Sequence, residues 1–169
     1  FFLRVICLFA QSSSPLQSKI ELAYQASWDQ KYTQAVGIFD EVLTAIPDHL
    51  DAQLGRAWTL AWNHKYSASK EGFGKVLDSI PDHFEARKGL AYVALWDGQF
   101  DNAIRRFRRL LTEKPQETDL IMAIGLARVN AGYLKGARIS YKQLESLSSS
   151  DAPALRSAIH HAPAWVEAE

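Results

Sequence analysis

Residues 84–117 read FEARKGLAYVALWDGQFDNAIRRFRRLLTEKPQE, and the recurrence of this stretch at a fixed step along the chain decides the fold. Residues of one kind recur 34 positions apart along the chain: Pro47, Pro81 and Pro115; Trp28, Trp62 and Trp96; and Phe39, Phe73 and Phe107. Such self-similarity predicts a tandem array of structural units rather than one irregular core. Four units fit the sequence, at residues 16–49, 50–83, 84–117 and 118–151.

Each unit has the pattern of two helices joined by a turn. Small residues recur at two positions where paired helices must approach closely: Ala23, Ala57, Ala91 and Gly125, and then Ala35, Ser69, Ala103 and Ala137. Turn-forming residues such as Asp97-Gly98-Gln99 separate the two helices, and a proline follows the second helix of the first three units. The pattern predicts eight helices, near 16–29, 32–45, 50–63, 66–79, 84–97, 100–113, 118–131 and 134–147.

The length of the repeat, about 34 residues, and the residue types that recur with it resemble those of tetratricopeptide repeat (TPR) proteins, over residues 16 to about 151. The resemblance implies an all-α TPR solenoid of about four helix–turn–helix repeats. The apolar face of the last unit needs a cover, and residues 152–169 are expected to supply it as a capping helix and tail. The fourth unit departs from the pattern, because Ser148, Ser149 and Ser150 stand in place of a closing proline.

The resemblance also implies a binding groove. The first helix of each unit lines the concave side of a TPR stack, and the closing prolines set the register of this chain. The groove positions are then Tyr24, Asp51, Leu54, Trp58, Glu85, Lys88, Tyr92, Asp119 and Met122. The same register adds Gln17, Ile20, Ser27, Ala61, Leu95, Leu126 and Val129.

Two rows of side chains recur among these positions. The aromatic row is Tyr24, Trp58 and Tyr92, and the acidic row is Asp51, Glu85 and Asp119. Aromatic rings serve as rigid binding anchors, and an acidic rim favours a basic segment. Packing between units is an equally good interpretation of the aromatic row, and a structural role is expected for the recurring tryptophans, Trp28, Trp62 and Trp96. The expected partner is a protein or peptide segment, with a glycan chain as the alternative.

The composition indicates neither nucleic-acid nor anionic-membrane binding, because 19 basic residues balance 19 acidic ones. A local basic cluster nevertheless lies on one predicted helix, formed by Arg105, Arg106, Arg108 and Arg109. It is either a solvated outer face or a contact for phosphate or an acidic partner.

The sequence lacks phosphate-loop, nucleophile-elbow and zinc-peptidase motifs. His49 and His83 occupy equivalent positions in successive units, so repeat symmetry explains them more simply than metal binding does. A non-catalytic scaffold without cofactor or metal is therefore expected.

Residues 1–15 differ from the repeats and are expected to be a signal-peptide remnant and linker. Residues 1–10, FFLRVICLFA, are apolar apart from Arg4, are too few to span a membrane, and end in the small residue Ala10, which suits cleavage. Cys7 is the only cysteine, so its removal would leave none. The protein is expected to be periplasmic or secreted; the alternative is an apolar terminus on a cytoplasmic protein.

Residues 56–62 (RAWTLAW) and 89–98 (GLAYVALWDG) are similar to periplasmic TPR segments that precede outer-membrane β-barrels in bacterial envelope proteins. This similarity implies a scaffold for protein–protein interaction in the bacterial envelope, as the N-terminal part of a larger envelope protein. The alternatives are a cytosolic TPR adaptor, or an accessory domain of an enzyme or of a polysaccharide-export complex.

Overall fold

The computed structural model describes residues 15–147 together with residues 153, 154, 157 and 160. Residues 15–147 form eight helices and no strand: α1 (Pro15–Trp28), α2 (Tyr32–Ala45), α3 (Leu50–Trp62), α4 (Tyr66–Ser79), α5 (Phe84–Trp96), α6 (Phe100–Glu113), α7 (Thr118–Asn130) and α8 (Leu134–Ser146). Each predicted helix bound lies within one residue of the observed bound. The prediction of an all-α fold of helix–turn–helix units is confirmed.

The helices form a stack in which each contacts the next one in the chain. The first helices of successive units also contact one another, as α1 with α3, α3 with α5 and α5 with α7. The second helices, α2, α4, α6 and α8, make no comparable contacts among themselves within the described part of the chain. The first helices therefore form the inner layer of the stack and the second helices form the outer layer.

The turn inside each unit uses one backbone conformation. Its central residue has a positive φ angle of 57° to 87°, and it is Gln30, His64, Gly98 or Gly132. The amide that follows donates back across the turn, for example from Gln99 to the carbonyl of Ala94 at 2.8 Å. This is the Schellman arrangement, which satisfies carbonyl groups at the end of the first helix.

The links between units end one helix and cap the next. The residue before proline leaves the helical conformation, as at Ile46 and Ile80, because the proline ring disfavours that conformation there. The ring nitrogens of His49 and His83 then accept the backbone N–H groups of Ala52 and Ala86, at 3.4 and 3.3 Å. His49 and His83 are therefore the N-caps of α3 and α5, and Asp48 and Asp82 each lie one residue before the cap.

The core is built from the repeated phenylalanines. Phe39, Phe73 and Phe107 are each 0% exposed. The rings of Phe39 and Phe73 lie against glycines of the following unit: a Cβ added to Gly55 would come within 2.7 Å of Cε1 of Phe39, and one added to Gly89 would collide with Phe73. The phenylalanine of one unit thus fills space that a glycine leaves open in the next.

The predicted leader and capping helix fall largely outside the described residues. Residues 1–14 and most of residues 148–169 are not described, and α1 begins at Pro15, one residue before the predicted start. Four residues of the predicted capping helix are described, and Pro153, Ala154, Ser157 and His160 are all helical.

No helix in the described part of the chain combines the length and the apolar character that crossing a membrane requires.

Candidate functional site

The aromatic row lies on the inner layer and is half-buried, with Tyr24 on α1, Trp58 on α3 and Tyr92 on α5. Each ring meets the phenylalanine of its own unit edge to face, with ring centroids 4.9 to 5.3 Å apart. Aromatic pairs favour this geometry. The aromatic row therefore covers the phenylalanine core on one side and keeps part of each ring at the surface.

The two tyrosines of the aromatic row also join neighbouring units. The Tyr24 hydroxyl donates to the backbone carbonyl of Asp51 at 3.1 Å, and the Tyr92 hydroxyl donates to that of Asp119 at 3.4 Å. Burial raises the pKa of Tyr24, and the negative charge of Asp51 raises it further. Both hydroxyls thus link the first helices of neighbouring units.

The acidic row is partly neutralised from within the chain. Lys88 lies 3.3 Å from a Glu85 carboxylate oxygen and 3.5 Å from one of Asp119, and its side chain is only 18% exposed. Asp51, by contrast, is exposed and forms no ion pair with a described residue. Lys88 therefore partly neutralises two of the three carboxylates of the acidic row, and Asp51 is left as its exposed member.

The other predicted groove residues differ in exposure. Leu54 and Met122 are half-buried beside the cores of units two and four. Four positions from the same register are buried: Ile20, Ser27, Ala61 and Leu95. The Ser27 hydroxyl, for example, lies 2.7 Å from that of Thr59, between α1 and α3. These four positions are packing residues and are not available to a partner.

A second group of aromatic rings includes Trp62 and Trp96, for which a structural role was expected. The centroid of Trp58 lies 6.0 Å from that of Trp62 and 6.3 Å from that of Trp96. Tyr92 joins the same group, at 5.9 Å from Trp58 and 5.4 Å from Trp96. Trp96 is 39% exposed. These four rings form a continuous cluster across α3 and α5.

An aromatic cup extends this cluster to the turn side of the stack. The cup is open, has a volume of about 400 Å³, and is lined by Tyr32, Ala61, Trp62, His64, Tyr66 and Trp96. His64 and the Tyr66 hydroxyl are hydrogen-bonded at 2.8 Å, which fixes one wall. Among the described residues, no lysine, arginine or carboxylate lines the cup, so it suits a neutral, apolar or ring-shaped group.

The aromatic residues that form the aromatic cup recur in the sequence. Tryptophan recurs before the turn of the first three units, and Tyr32, Tyr66 and Phe100 recur after it at the same step. The sequence did not show that side chains from the turns of neighbouring units converge, because that depends on how closely the units stack.

Solved structures similar to this chain are TPR proteins. A tetratricopeptide repeat protein from Parabacteroides merdae superposes with a TM-score of 0.77 at 20% identity, over 85% of this chain and 57% of that protein. The Thermus thermophilus TPR protein TTC0263 gives 0.69 at 22% identity, over 85% and 79%. MamA from Desulfovibrio magneticus gives 0.68 at 20% identity, over 79% and 75%.

No protein-family model matches the sequence, and a comparison with curated proteins finds no relative. The chain spans just over half of the Parabacteroides protein. At these identities the likeness concerns the fold, and it agrees with the repeat of the sequence and the eight stacked helices of residues 15–147. The chain therefore has the tetratricopeptide repeat fold.

Proposed function

We propose that this protein is a non-catalytic scaffold that binds an extended segment of a partner protein across the aromatic surface of units two and three. The observation that carries the proposal is the continuous group of Trp58, Trp62, Tyr92 and Trp96, which opens into the aromatic cup. Large rings held by packing lose little conformational freedom on binding, so they are efficient anchors.

The chemistry of the surface favours a segment with proline or other apolar side chains. No charged side chain of the described residues lines the aromatic cup, and Lys88 already pairs with Glu85 and Asp119. Extended proline-rich segments dock on aromatic-lined grooves because their conformation is formed before binding. Exposed tryptophans also stack on sugars, so a glycan chain is the second candidate.

The test is selection of peptides on the wild-type protein from a displayed random library, followed by anisotropy titration of one selected peptide. Trp96→Ala is expected to weaken binding by about 2 kcal/mol or more, because Trp96 contributes to both the cluster and the aromatic cup. Its melting temperature should change little, since the ring is partly exposed.

Trp28→Ala is the matched control. Trp28 occupies the equivalent position in unit one, is 67% exposed, and stacks on Tyr24 outside the cup. Equal binding by wild type, Trp28→Ala and Trp96→Ala would contradict the proposed site. Enrichment of no peptide, together with retention of the protein on an oligosaccharide array through Trp96, would favour the glycan candidate.

We further propose that the scaffold acts in the bacterial envelope. The support is the apolar composition of residues 1–10 and the similarity of residues 56–62 and 89–98 to periplasmic TPR segments. Expression with a start codon in a bacterium, followed by fractionation and mass spectrometry, tests this. Export with cleavage near Ala10 is expected, and uncleaved protein confined to the cytoplasm would favour the cytosolic adaptor.

A further inference from the structure

The outer layer changes its charge along the stack although the core repeats. Three outward positions of the second helix hold Gly37, Asp40 and Glu41 in unit one, Glu71, Gly74 and Lys75 in unit two, and Arg105, Arg108 and Arg109 in unit three. The buried phenylalanine between them is the same in all three units. The arginines are therefore not required by the repeat architecture.

The basic side chains of α6 and α8 also differ from the others in having no carboxylate partners among the described residues. Every lysine and arginine within helices α1–α5 forms an ion pair, namely Lys19, Arg56, Lys70, Lys75, Arg87 and Lys88. The exposed lysines and arginines of α6 and α8 form none with any residue that the structure describes: Arg105, Arg108, Arg109, Lys135, Arg138 and Lys142. We call these six residues the basic face.

A further cation, Arg128, lies on α7, which packs against both helices of the basic face. Arg128, on α7, donates to the carbonyl of Gly136 at 2.9 Å and to the hydroxyl of Ser140 at 3.0 Å, both on α8. Burial lowers the pKa of Arg128, and the charge of Arg108 on α6 lowers it further. The positive charge of Arg128 thus lies between α6 and α8, and no carboxylate within residues 15–147 pairs with it.

We propose that the basic face is a second docking surface, which binds a short acidic segment of a partner protein. Arg108 and Arg109 lie three and four residues after Arg105, so their guanidinium groups project from one side of α6. Guanidinium groups bind carboxylates through paired hydrogen bonds, as Arg87 already does with Glu113 at 2.6 and 2.7 Å.

The charge of the rest of the stack limits the length of the ligand. Residues 84–147 carry eleven basic and seven acidic residues, but residues 15–83 carry six basic and nine acidic ones. A long polyanion that followed the stack would meet repulsion over units one and two. A short acidic peptide can stay on units three and four, so the charge pattern favours it over duplex nucleic acid.

The experiment is an anisotropy titration with a fluorescent peptide of alternating aspartate and glutamate. Binding to the wild type is expected, with an affinity that falls as salt is raised from about 50 mM to about 300 mM, because added salt screens exposed charges. Substitution of Arg105, Arg108 and Arg109 by glutamine should weaken binding by about tenfold or more. Far-UV circular dichroism should show an unchanged melting curve, since the three side chains are exposed.

A control variant removes cations elsewhere on the outer layer. Substitution of Lys70 and Lys75 on α4 by glutamine should leave peptide binding within about twofold of the wild type. An equal loss in both variants would show attraction by overall charge alone and would overturn the proposal. No binding to the wild type would overturn it too, as would tighter binding of duplex DNA or of phosphatidylserine vesicles through the same arginines.

The test is independent of the proposed function. Trp96→Ala should retain full binding of the acidic peptide, because Trp96 lies on the inner layer and the basic face lies on the outer layer. Loss of acidic-peptide binding in Trp96→Ala would contradict the basic face as a separate surface, whereas unchanged binding of the selected peptide would contradict only the proposed function.

Discussion

At the residue scale, the turn inside each unit requires the same backbone conformation of different residue types. Gly98 and Gly132 adopt this conformation without steric cost. Gln30 and His64 adopt it too, with φ angles of 60° and 57°, although both have a Cβ atom. A left-handed conformation costs a residue with a Cβ atom roughly 1–2 kcal/mol. His64 has a compensating role, since it binds the Tyr66 hydroxyl in the aromatic cup.

Substitutions at two of these turns should have opposite effects on stability. Gln30→Gly is expected to raise the free energy of unfolding by up to about 1 kcal/mol, since glycine relieves the strain but also gains entropy in the unfolded chain. Gly98→Ala should lower it by about 1–2 kcal/mol. Urea denaturation measures both, and equal midpoints for the two variants would contradict the assigned turn.

A second pair of substitutions tests the fit of phenylalanine against glycine. Gly89→Ala should destabilise the protein by about 1–3 kcal/mol, because the new methyl group would overlap the buried Phe73 ring. Gly74→Ala is the control, since α4 leaves open space around that position. It should stabilise the helix by about 0.5–1 kcal/mol. A stabilising Gly89→Ala would show that the two units are spaced further apart.

At the element scale, ion pairs join helices that the core also holds together. Arg87 of α5 binds both carboxylate oxygens of Glu113 at the end of α6, and Lys70 of α4 binds Asp97 after α5 at 2.7 Å. The hydrogen bond from Arg87 lowers the pKa of Glu113, and the one from Lys70 lowers the pKa of Asp97. The first pair acts within unit three and the second joins units two and three.

The lowered pKa of Glu113 predicts a defined acid dependence of stability. A carboxyl group with a lowered folded-state pKa stabilises the fold above its unfolded pKa of about 4.3 and loses that effect as the pH falls through the folded value. The midpoint of Glu113→Gln should therefore fall less than that of the wild type on acidification. Urea titrations between neutral pH and about pH 3 measure this.

Arg87→Gln should give the same flattened acid dependence, and the double variant should add little to either single one. Additive effects of the two substitutions would show that the two side chains are not coupled.

At the scale of the whole molecule, stability is the sum of units and of contacts between neighbours. Phe73 lies at the centre of the stack, covered by Trp58 of its own unit and packed against Gly89 of the next. Loss of the Phe73 ring therefore weakens packing both within unit two and at the interface between units two and three. Its effect should therefore be largest in the middle of the chain.

Phe73→Ala is expected to lower the free energy of unfolding by about 3–5 kcal/mol, as for other buried aromatic residues. Hydrogen exchange followed by mass spectrometry should show the greatest loss of protection in α3, α4 and α5. Ile139→Ala is a suitable control, since Ile139 is 64% exposed. An even loss of protection from α1 to α8 would show that the stack unfolds as one cooperative unit.

The sequence by itself determined the class of fold, the number of helices in the repeats and their bounds. These features depend on local patterns, such as a turn residue near position 98 or a proline at position 81, which recur from unit to unit. Because each unit packs only on its neighbours, local patterns repeated in tandem are enough to specify the stack. Helix capping by His49 and His83 is a local feature that the repeat pattern did not reveal.

Only the tertiary structure decided which side chains are available to a partner. Ile20 and Leu95 share the groove register with Trp58 but are buried, whereas Trp96 forms part of an open cup. Lys88 reaches across to Asp119 of the next unit and neutralises it in part. These outcomes depend on the offset between units, which places side chains far apart in sequence next to one another. The repeat pattern shows which residue types each unit contains. The packing of one unit on the next decides whether a given side chain is buried, paired or exposed.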